Sequence, residues 1–300
     1  MKKRVLSFIL AAAMIFSLAA CGKKAEETPS ASEPASTEPA STEAAASGEP
    51  AEIQVFIAAS LNKVMTELAE MYNKDHPEVT INYNADSSGT LLTQIQEGAA
   101  CDMFFSAAQK QMNALEEDKL IVEGTRVNVV NNQVCVVKAK GTETAVTGLA
   151  DIEKAKSIAL ADGSVPVGKY TRQALVKIGK LPETEDVSTI TTAEVMNALG
   201  GVEISEQSNV SKVRTAVMEG SCEVGTVYYS DTYTFEDQLE IIEKVSYDLT
   251  GNVIYPLCRV VNKEATDAQN AAADAFYQFL LSDEATAVFD KYLFDTNVER

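Results

Sequence analysis

Histidine is nearly absent from this sequence, since His76 is the only one among 300 residues. It precedes Pro77 in "NKDHPEV", a segment typical of an exposed turn. A Ser/His/Asp triad would depend on this residue, and no G-x-S-x-G segment positions a serine nucleophile. The cysteines lack C-x-x-C spacing, so a Cys/His zinc site is equally disfavoured.

Positive charge is also scarce, with 25 Lys and Arg against 44 Asp and Glu and a net charge of −19. Residues 1–20 contribute +3 and residues 22–50 contribute −4, which leaves −18 for residues 51–300. Nucleic-acid binding depends on Lys and Arg that neutralise phosphates, so no nucleic-acid partner is expected. A buried anion site stays open, because salt screens surface carboxylates over about 8–10 Å.

The N-terminus has the pattern of an export signal. "MKKR" precedes an apolar run from Val5 to Ala20, which is shorter than the ~20 residues of a membrane span. The following "LAAC" resembles the lipobox of bacterial lipoproteins. Residues 1–20 are therefore interpreted as a lipoprotein signal peptide and Cys21 as a lipidated first residue at the outer face of the cell membrane. An ordinary signal peptide cut near Ala20 is the alternative.

Residues 22–50 have a biased composition, with four of the eight prolines, no aromatic residue and a repeated ASTEP-like motif. A segment with so little apolar surface cannot offset the entropy cost of ordering. Residues 21–50 are therefore predicted to be a disordered tether that begins at the lipidated cysteine.

Residues 51–300 alternate short apolar runs with amphipathic helical patterns, which predicts an α/β fold with largely parallel sheets. The longer apolar runs at Val127–Lys138 and Val253–Val261 are expected to cross between two lobes. A monomer is expected, and no second membrane segment follows. The lobes are predicted as residues 51–135 plus 256–300 for lobe 1, and residues 136–255 for lobe 2.

The cysteines of the folded part are predicted to pack as small apolar side chains. A disulfide between Cys135 and Cys258 is the alternative, because these two residues lie on the two proposed crossing runs. The full set is Cys101, Cys135, Cys222 and Cys258.

Two short motifs suggest other chemistry. Gly163 to Lys169 spells G-x-x-x-x-G-K, but the next residue is Tyr170 instead of the Ser or Thr that holds magnesium in a P-loop. "SLNK", from Ser60 to Lys63, matches the S-x-x-K motif of penicillin-binding proteins, although S-D-N and K-T-G are missing. A nucleotide site is disfavoured, and a serine enzyme remains a minor alternative.

Several predicted helices start directly after predicted strands. Helix N-termini carry unpaired N–H groups and the positive end of the helix dipole, so they bind anions. In a two-lobed α/β fold these ends lie at the carboxyl edges of the strands and face one cleft. The starts lie at Ser60, at Ser87 and Ser88, at Val167 and Gly168, and at Val210.

These segments resemble the molybdate-binding proteins that deliver oxyanions to ABC transporters. The similarity extends from Ile53 to Phe294 and is carried by "VFIAASL", "SSGTLLTQIQEGAACDMFFSA", "VPVGKYTRQAL", "EVGTVYYSD" and "SDEATAVFDKYLF". The resemblance implies a two-lobed type II periplasmic-binding-protein fold with a hinge of two crossing strands. It also implies no enzyme activity, no cofactor, molybdate or tungstate as bound ligand, and the membrane permease of an ABC transporter as partner.

The resemblance also implies which residues contact the ligand. Backbone N–H groups and hydroxyls would contact the oxygens of the anion, and none would coordinate the metal atom itself. The implied ligand-binding positions are Ser60, Ser88, Val167, Val210 and Tyr228.

Four positions depart from the commoner pattern of these proteins, namely Val167, Asp86, Tyr229 and Cys101. Asp86 beside the serine pair and Tyr229 beside Tyr228 leave sulfate, phosphate and ferric ion open as ligands. A ferric site would use paired tyrosines with Asp231, but neighbouring residues on a strand point to opposite faces.

Overall fold

The computed structural model describes residues 49–299. The predicted signal peptide, Cys21 and the predicted tether up to residue 48 lie outside this range. The strands are β1 (Ala51–Ala58), β2 (Val79–Asp86), β3 (Met103–Phe105), β4 (Val127–Asn132), β5 (Val134–Ala139), β6 (Ser157–Ala161), β7 (Glu203–Gln207), β8 (Val224–Tyr228), β9 (Leu239–Lys244) and β10 (Val253–Arg259). The α-helices are α1 (Asn62–Asp75), α2 (Ser88–Gln96), α3 (Gln109–Glu117), α4 (Pro166–Lys177), α5 (Thr192–Ala198), α6 (Val210–Met218), α7 (Tyr247–Thr250), α8 (Asp267–Leu280) and α9 (Asp283–Lys291).

The strands form two five-stranded sheets with the same layout. The first has the order β2-β1-β3-β10-β4 and the second the order β7-β6-β8-β5-β9. Strand β1 pairs in parallel with β2 and β3, and β6 pairs in parallel with β7 and β8, whereas β10 in the first sheet and β5 in the second run antiparallel to their neighbours. The sheets are therefore mixed, and the predicted two-lobed α/β fold is confirmed.

The chain passes between the sheets twice, at positions that differ in detail from the sequence interpretation. The run Val127–Lys138 is two strands separated at Gln133, with β4 in the first sheet and β5 in the second. The run from Val253 forms β10, which lies wholly in the first sheet, so the return crossing is residues 245–252. The lobe limits given above stay a proposal.

Helices cover the sheets through the apolar stripes that their spacing predicts. On α1, the buried side chains of Val64, Met65, Leu68 and Tyr72 share one face. All four cysteines in the described part of the chain are buried and free, so the structure does not pair Cys135 with Cys258. Within residues 49–299, no helix combines the length and the apolar character that crossing a membrane requires.

Candidate functional site

One small cavity lies between the two lobes, where β1 and β2 of the first sheet and β6, β7 and β8 of the second reach their carboxyl ends. It is small, with a volume of about 10 Å³, which is far below the ~300–1,000 Å³ of pockets for drug-sized ligands. All five predicted ligand-binding positions line it. The complete lining is Ala58, Ala59, Ser60, Asp86, Ser87, Ser88, Ala107, Val165, Pro166, Val167, Val210 and Tyr228.

Helix α4 directs a backbone donor at the cavity. It begins at Pro166, a favourable first helical residue because its fixed φ suits the helix and it has no N–H to satisfy. Val167 therefore offers the first N–H of the helix, and the first N–H groups of a helix have no intrahelical acceptor. The G-x-x-x-x-G-K segment that resembles a P-loop is thus the start of a helix at the cavity.

Ser88 is the first residue of α2 and is fully buried. Ser87 caps the helix by accepting from the Thr90 N–H, which leaves Ser88 free of a capping role. The Ser88 hydroxyl oxygen accepts from the Ala107 N–H at 2.9 Å. Because a backbone N–H can only donate, the Ser88 proton remains available for a group in the cavity.

Ser60 lies in a 3₁₀ turn, Ala59–Leu61, and not at the start of the α-helix as the sequence suggested. Its Oγ is 2.9 Å from the hydroxyl of Tyr255. Lys63 points elsewhere, with its Nζ 3.7 Å from the centre of the Phe235 ring. Ser60 and Lys63 therefore do not form the nucleophile pair of an S-x-x-K enzyme.

Tyr228 presents an unpartnered hydroxyl to the cavity. The residue is 1% exposed, and its Oη has no hydrogen-bond partner among the described residues. Burial raises the pKa of Tyr228 well above its usual value, with nearby Tyr255 adding to the shift, so the phenol keeps its proton. Asp231 anchors the backbone here by accepting from the Tyr228 N–H at 3.2 Å. Burial raises the pKa of Asp231 to about 6, although Arg214 opposes the shift.

Val210 begins α6 on the opposite wall, and its cap joins the two lobes. Asn209 accepts from the Lys212 N–H at 3.0 Å, so its amide nitrogen faces the first lobe. There it donates to Asp86 Oδ1 at 3.0 Å, and that oxygen also accepts from the Ser87 N–H. One carboxylate oxygen of Asp86 therefore accepts hydrogen bonds both from the backbone of its own lobe and from Asn209 of the facing lobe.

Further contacts hold the cleft closed. Lys110 Nζ reaches across to Asp186 Oδ2 at 2.6 Å and to Ser188 Oγ at 2.7 Å. The Lys110 hydrogen bond is the largest cause that lowers the pKa of Asp186 to about 2. Both partners are nearly half exposed, so the ion pair contributes at most about 1 kcal/mol.

Two residues noted in the sequence lie away from the cavity. Lys169 is absent from its lining and faces the outside of the second lobe with Gln173 and Asp186. The ring of Tyr229 packs under Lys244 Nζ at 3.2 Å, so the two adjacent tyrosines do not converge on one ligand. Among the cavity-lining residues, Asp86 alone carries a charge.

Three residues whose hydrogen bonds support the site were not predicted from the sequence, namely Asn132, Tyr255 and Asn209. Asn209 had a usable signal, because Asn before an apolar periodic run is a helix cap. Tyr255 and Asn132 lie inside strands, where no local pattern marks a side chain that faces a site.

The fold and the cavity together define a solute-binding protein. The chain belongs to the bacterial extracellular solute-binding proteins, whose family model matches residues 53–295.

The resemblance to molybdate-binding proteins is also confirmed. The molybdate-binding protein ModA of Haemophilus influenzae is 30% identical over 254 residues, which cover 81% of this chain and 90% of the relative. ModA of Escherichia coli is 29% identical over 256 residues, covering 83% and 91%. YvgL of Bacillus subtilis is 30% identical over 243 residues, covering 81% and 85%, and its name assigns it provisionally to the substrate-binding lipoproteins of ABC transporters.

Solved structures share the fold but differ in what their names say they bind. The periplasmic molybdate-binding protein of Azotobacter vinelandii has a TM-score of 0.66 at 18% identity, covering 83% of this chain and all of that one. The sulfate-binding protein SubI of Mycobacterium tuberculosis has a TM-score of 0.63 at 14% identity, covering 81% and 86%. Iron-bound HitA of Pseudomonas aeruginosa has a TM-score of 0.58 at 12% identity, covering 80% and 84%. The fold alone therefore does not select the ligand.

Proposed function

We propose that this protein captures molybdate or tungstate outside the cytoplasm and delivers it to the permease of an ABC transporter. The observation that carries the proposal is the donor set of the cavity. The hydroxyls of Ser88 and Tyr228 have protons with no acceptor assigned in the protein, and the starts of α4 and α6 add N–H groups. A small ligand with acceptors only is complementary to this set.

The protonation state of the ligand is the first basis of selection. Molybdate near neutral pH is a dianion with four acceptor oxygens, so every partner that it needs is a donor. Phosphate at the same pH carries a proton, and leaving that proton unpaired in a buried site costs about 1–3 kcal/mol. Asp86 is the one carboxylate at the cavity that is able to accept such a proton.

The size of the ligand is the second basis. Sulfate is also a dianion with acceptors only, but its shorter bonds stretch the hydrogen bonds of a cavity that fits a larger tetrahedron. Molybdate and tungstate have nearly the same size and charge, so the protein is expected to bind both. Ferric ion lacks support, because a single tyrosine lines the cavity.

A ligand panel tests this proposal. Molybdate or tungstate at about 100 times its Kd stabilises the folded state by roughly 2.7 kcal/mol, which raises Tm of the full chain by about 5–10 °C. Sulfate at the same concentration is expected to give a smaller shift, and phosphate and ferric citrate almost none. Phosphate binding as tight as that of molybdate, lost in Asp86→Asn, would overturn the assignment.

Closure around the ligand predicts a specific effect at Gly89. A Cβ at this position would lie 3.1 Å from the carbonyl oxygen of Ser164 in the facing lobe. Gly89→Ala should therefore weaken molybdate binding by about 1 kcal/mol, or roughly fivefold, because the closed cleft must open by a few tenths of an ångström. The same change should stabilise the ligand-free protein by about 0.5–1 kcal/mol, since alanine favours the helix.

Calorimetry and thermal denaturation measure these two effects separately. Unchanged affinity in Gly89→Ala would mean that ligand binding does not bring α2 against the second lobe.

Anchoring by a lipid at Cys21 is part of the proposal. It is supported by "LAAC" in the sequence, and the name of YvgL points the same way. In a bacterial host, the wild-type chain is expected in the detergent phase and Cys21→Ala in the aqueous phase. Membrane association that persists in Cys21→Ala with an uncleaved signal peptide would favour a plain membrane anchor instead.

A further inference from the structure

The hydroxyl of Ser60 is the last member of a hydrogen-bond chain through the protein interior. Asn132 Nδ2 lies 3.2 Å from Tyr255 Oη, and Tyr255 Oη lies 2.9 Å from Ser60 Oγ. Asn132 is 1% exposed and Tyr255 is fully buried. The three residues come from the end of β4, from β10 and from the turn after β1, so only the folded chain brings them together.

The direction of this chain is set at its far end. Asn132 Oδ1 accepts from the backbone N–H groups of Gln133 at 2.9 Å and Ser230 at 3.4 Å. A backbone N–H can only donate, so the oxygen of the amide must face these two groups. The amide NH₂ then faces Ser230 Oγ at 2.8 Å and Tyr255 Oη. Both of these hydroxyl oxygens accept from it.

Tyr255 can carry this direction of hydrogen-bond donation from Asn132 to Ser60 at the cavity. With Asn132 donating to Tyr255 Oη, the proton of Tyr255 is free for Ser60 Oγ, a pair whose distance by itself fits either direction of donation. Burial raises the pKa of Tyr255 well above its usual value, so this proton is retained at physiological pH. In that direction Ser60 Oγ accepts from Tyr255, and the Ser60 proton is left to donate into the cavity that this residue lines.

We propose that Asn132 and Tyr255 are positioning residues that hold Ser60 as an obligate donor and thereby reject oxyanions that carry a proton. The identification of the favoured anion as molybdate rests on the proposed function. The role of Ser60 as a donor applies to any tetrahedral anion. Ser230 belongs to the second lobe, so the chain also ties the donor at Ser60 to the crossing at Gln133.

Tyr255→Phe is the main test. It removes the hydroxyl and keeps the ring that packs against Tyr228 and Phe294, with centroids 5.8 and 5.5 Å apart. Ser60 is then free to turn and to accept from a protonated ligand. On the full chain, the Kd for molybdate is expected to rise about 3- to 10-fold, the effect of one ordinary hydrogen bond. The Kd for phosphate is expected to stay unchanged or fall, measured by calorimetry and by competition with molybdate.

Tyr277→Phe is the matched control. Its hydroxyl donates to the Thr125 carbonyl at 2.7 Å and does not line the cavity. This variant should lose stability but keep the wild-type ratio of the two Kd values. A loss of general packing in Tyr255→Phe would weaken both anions equally, and an unchanged ratio overturns the proposal.

Asn132→Asp provides a second, independent variant. A carboxylate accepts from Tyr255, so Tyr255 accepts from Ser60 and the donor at the cavity becomes an acceptor. The ratio of phosphate to molybdate affinity is expected to shift further towards phosphate than in Tyr255→Phe, and a ratio equal to that of the wild type overturns the proposal.

A wild-type chain that binds sulfate but not molybdate overturns the proposed ligand alone, and the sulfate-to-phosphate ratio then tests the same variants. A wild-type chain that binds none of these anions overturns both.

Discussion

Tyr228→Phe is expected to weaken molybdate binding by about 10- to 150-fold without destabilising the ligand-free protein. A hydrogen bond to a charged group contributes about 1.5–3 kcal/mol, and this variant removes one such donor from the proposed site. In the ligand-free protein the buried Tyr228 hydroxyl has no partner among the described residues. Its removal should leave the free energy of unfolding unchanged or higher, because no hydrogen bond within the protein is lost.

The opposite signs of the two effects make Tyr228→Phe a sharp test. Calorimetry with molybdate gives the affinity, and denaturant titration without ligand gives the stability. Tyr277→Phe is again the matched control, since it loses a hydroxyl that is hydrogen-bonded to a carbonyl and should show reduced stability with normal affinity. Normal affinity in Tyr228→Phe would remove this hydroxyl from the site.

Gly168→Ala is expected to reduce both stability and affinity strongly. A Cβ at Gly168 would lie 2.1 Å from the carbonyl oxygen of Asp162 and 2.4 Å from that of Ala161. These atoms are backbone, so the loop between β6 and α4 has to move. Overpacking of this kind costs about 3 kcal/mol, which lowers Tm by roughly 6–12 °C. The neighbouring N–H of Val167 moves with the loop, and molybdate binding should weaken at least about tenfold.

Gly89→Ala gives the comparison for this variant, because both glycines lie in the first turn of a helix at the cavity. The clash at Gly168 is with its own lobe and acts with or without ligand, whereas the contact at Gly89 is with the facing lobe. Thermal denaturation of the ligand-free proteins should therefore separate them, with Gly168→Ala lower than wild type and Gly89→Ala equal or higher. Equal melting temperatures in Gly168→Ala and wild type would show that the loop accommodates the side chain.

The amino-acid sequence by itself determined the order of the elements and the kind of site. Apolar runs followed by helical periodicity predicted the strands and helices, because backbone hydrogen bonding and burial of one face act over neighbouring residues. The start of α2 beside Ser88 and of α6 at Val210 was visible for the same reason, since a capping residue acts within one turn. Donors at helix starts after strands were enough to predict an anion site in a cleft.

Tertiary structure alone decided what local patterns do not encode. Ser60 proved to lie in a 3₁₀ turn, and Gln133 proved to separate two strands that looked like one, because pairing with distant strands sets those limits. The hydrogen bond between Asp86 and Asn209 and the chain from Asn132 to Ser60 join residues far apart in sequence. Their donors and acceptors are assigned only when each group meets its partner in the folded protein, so the polarity of the cavity is a property of the fold.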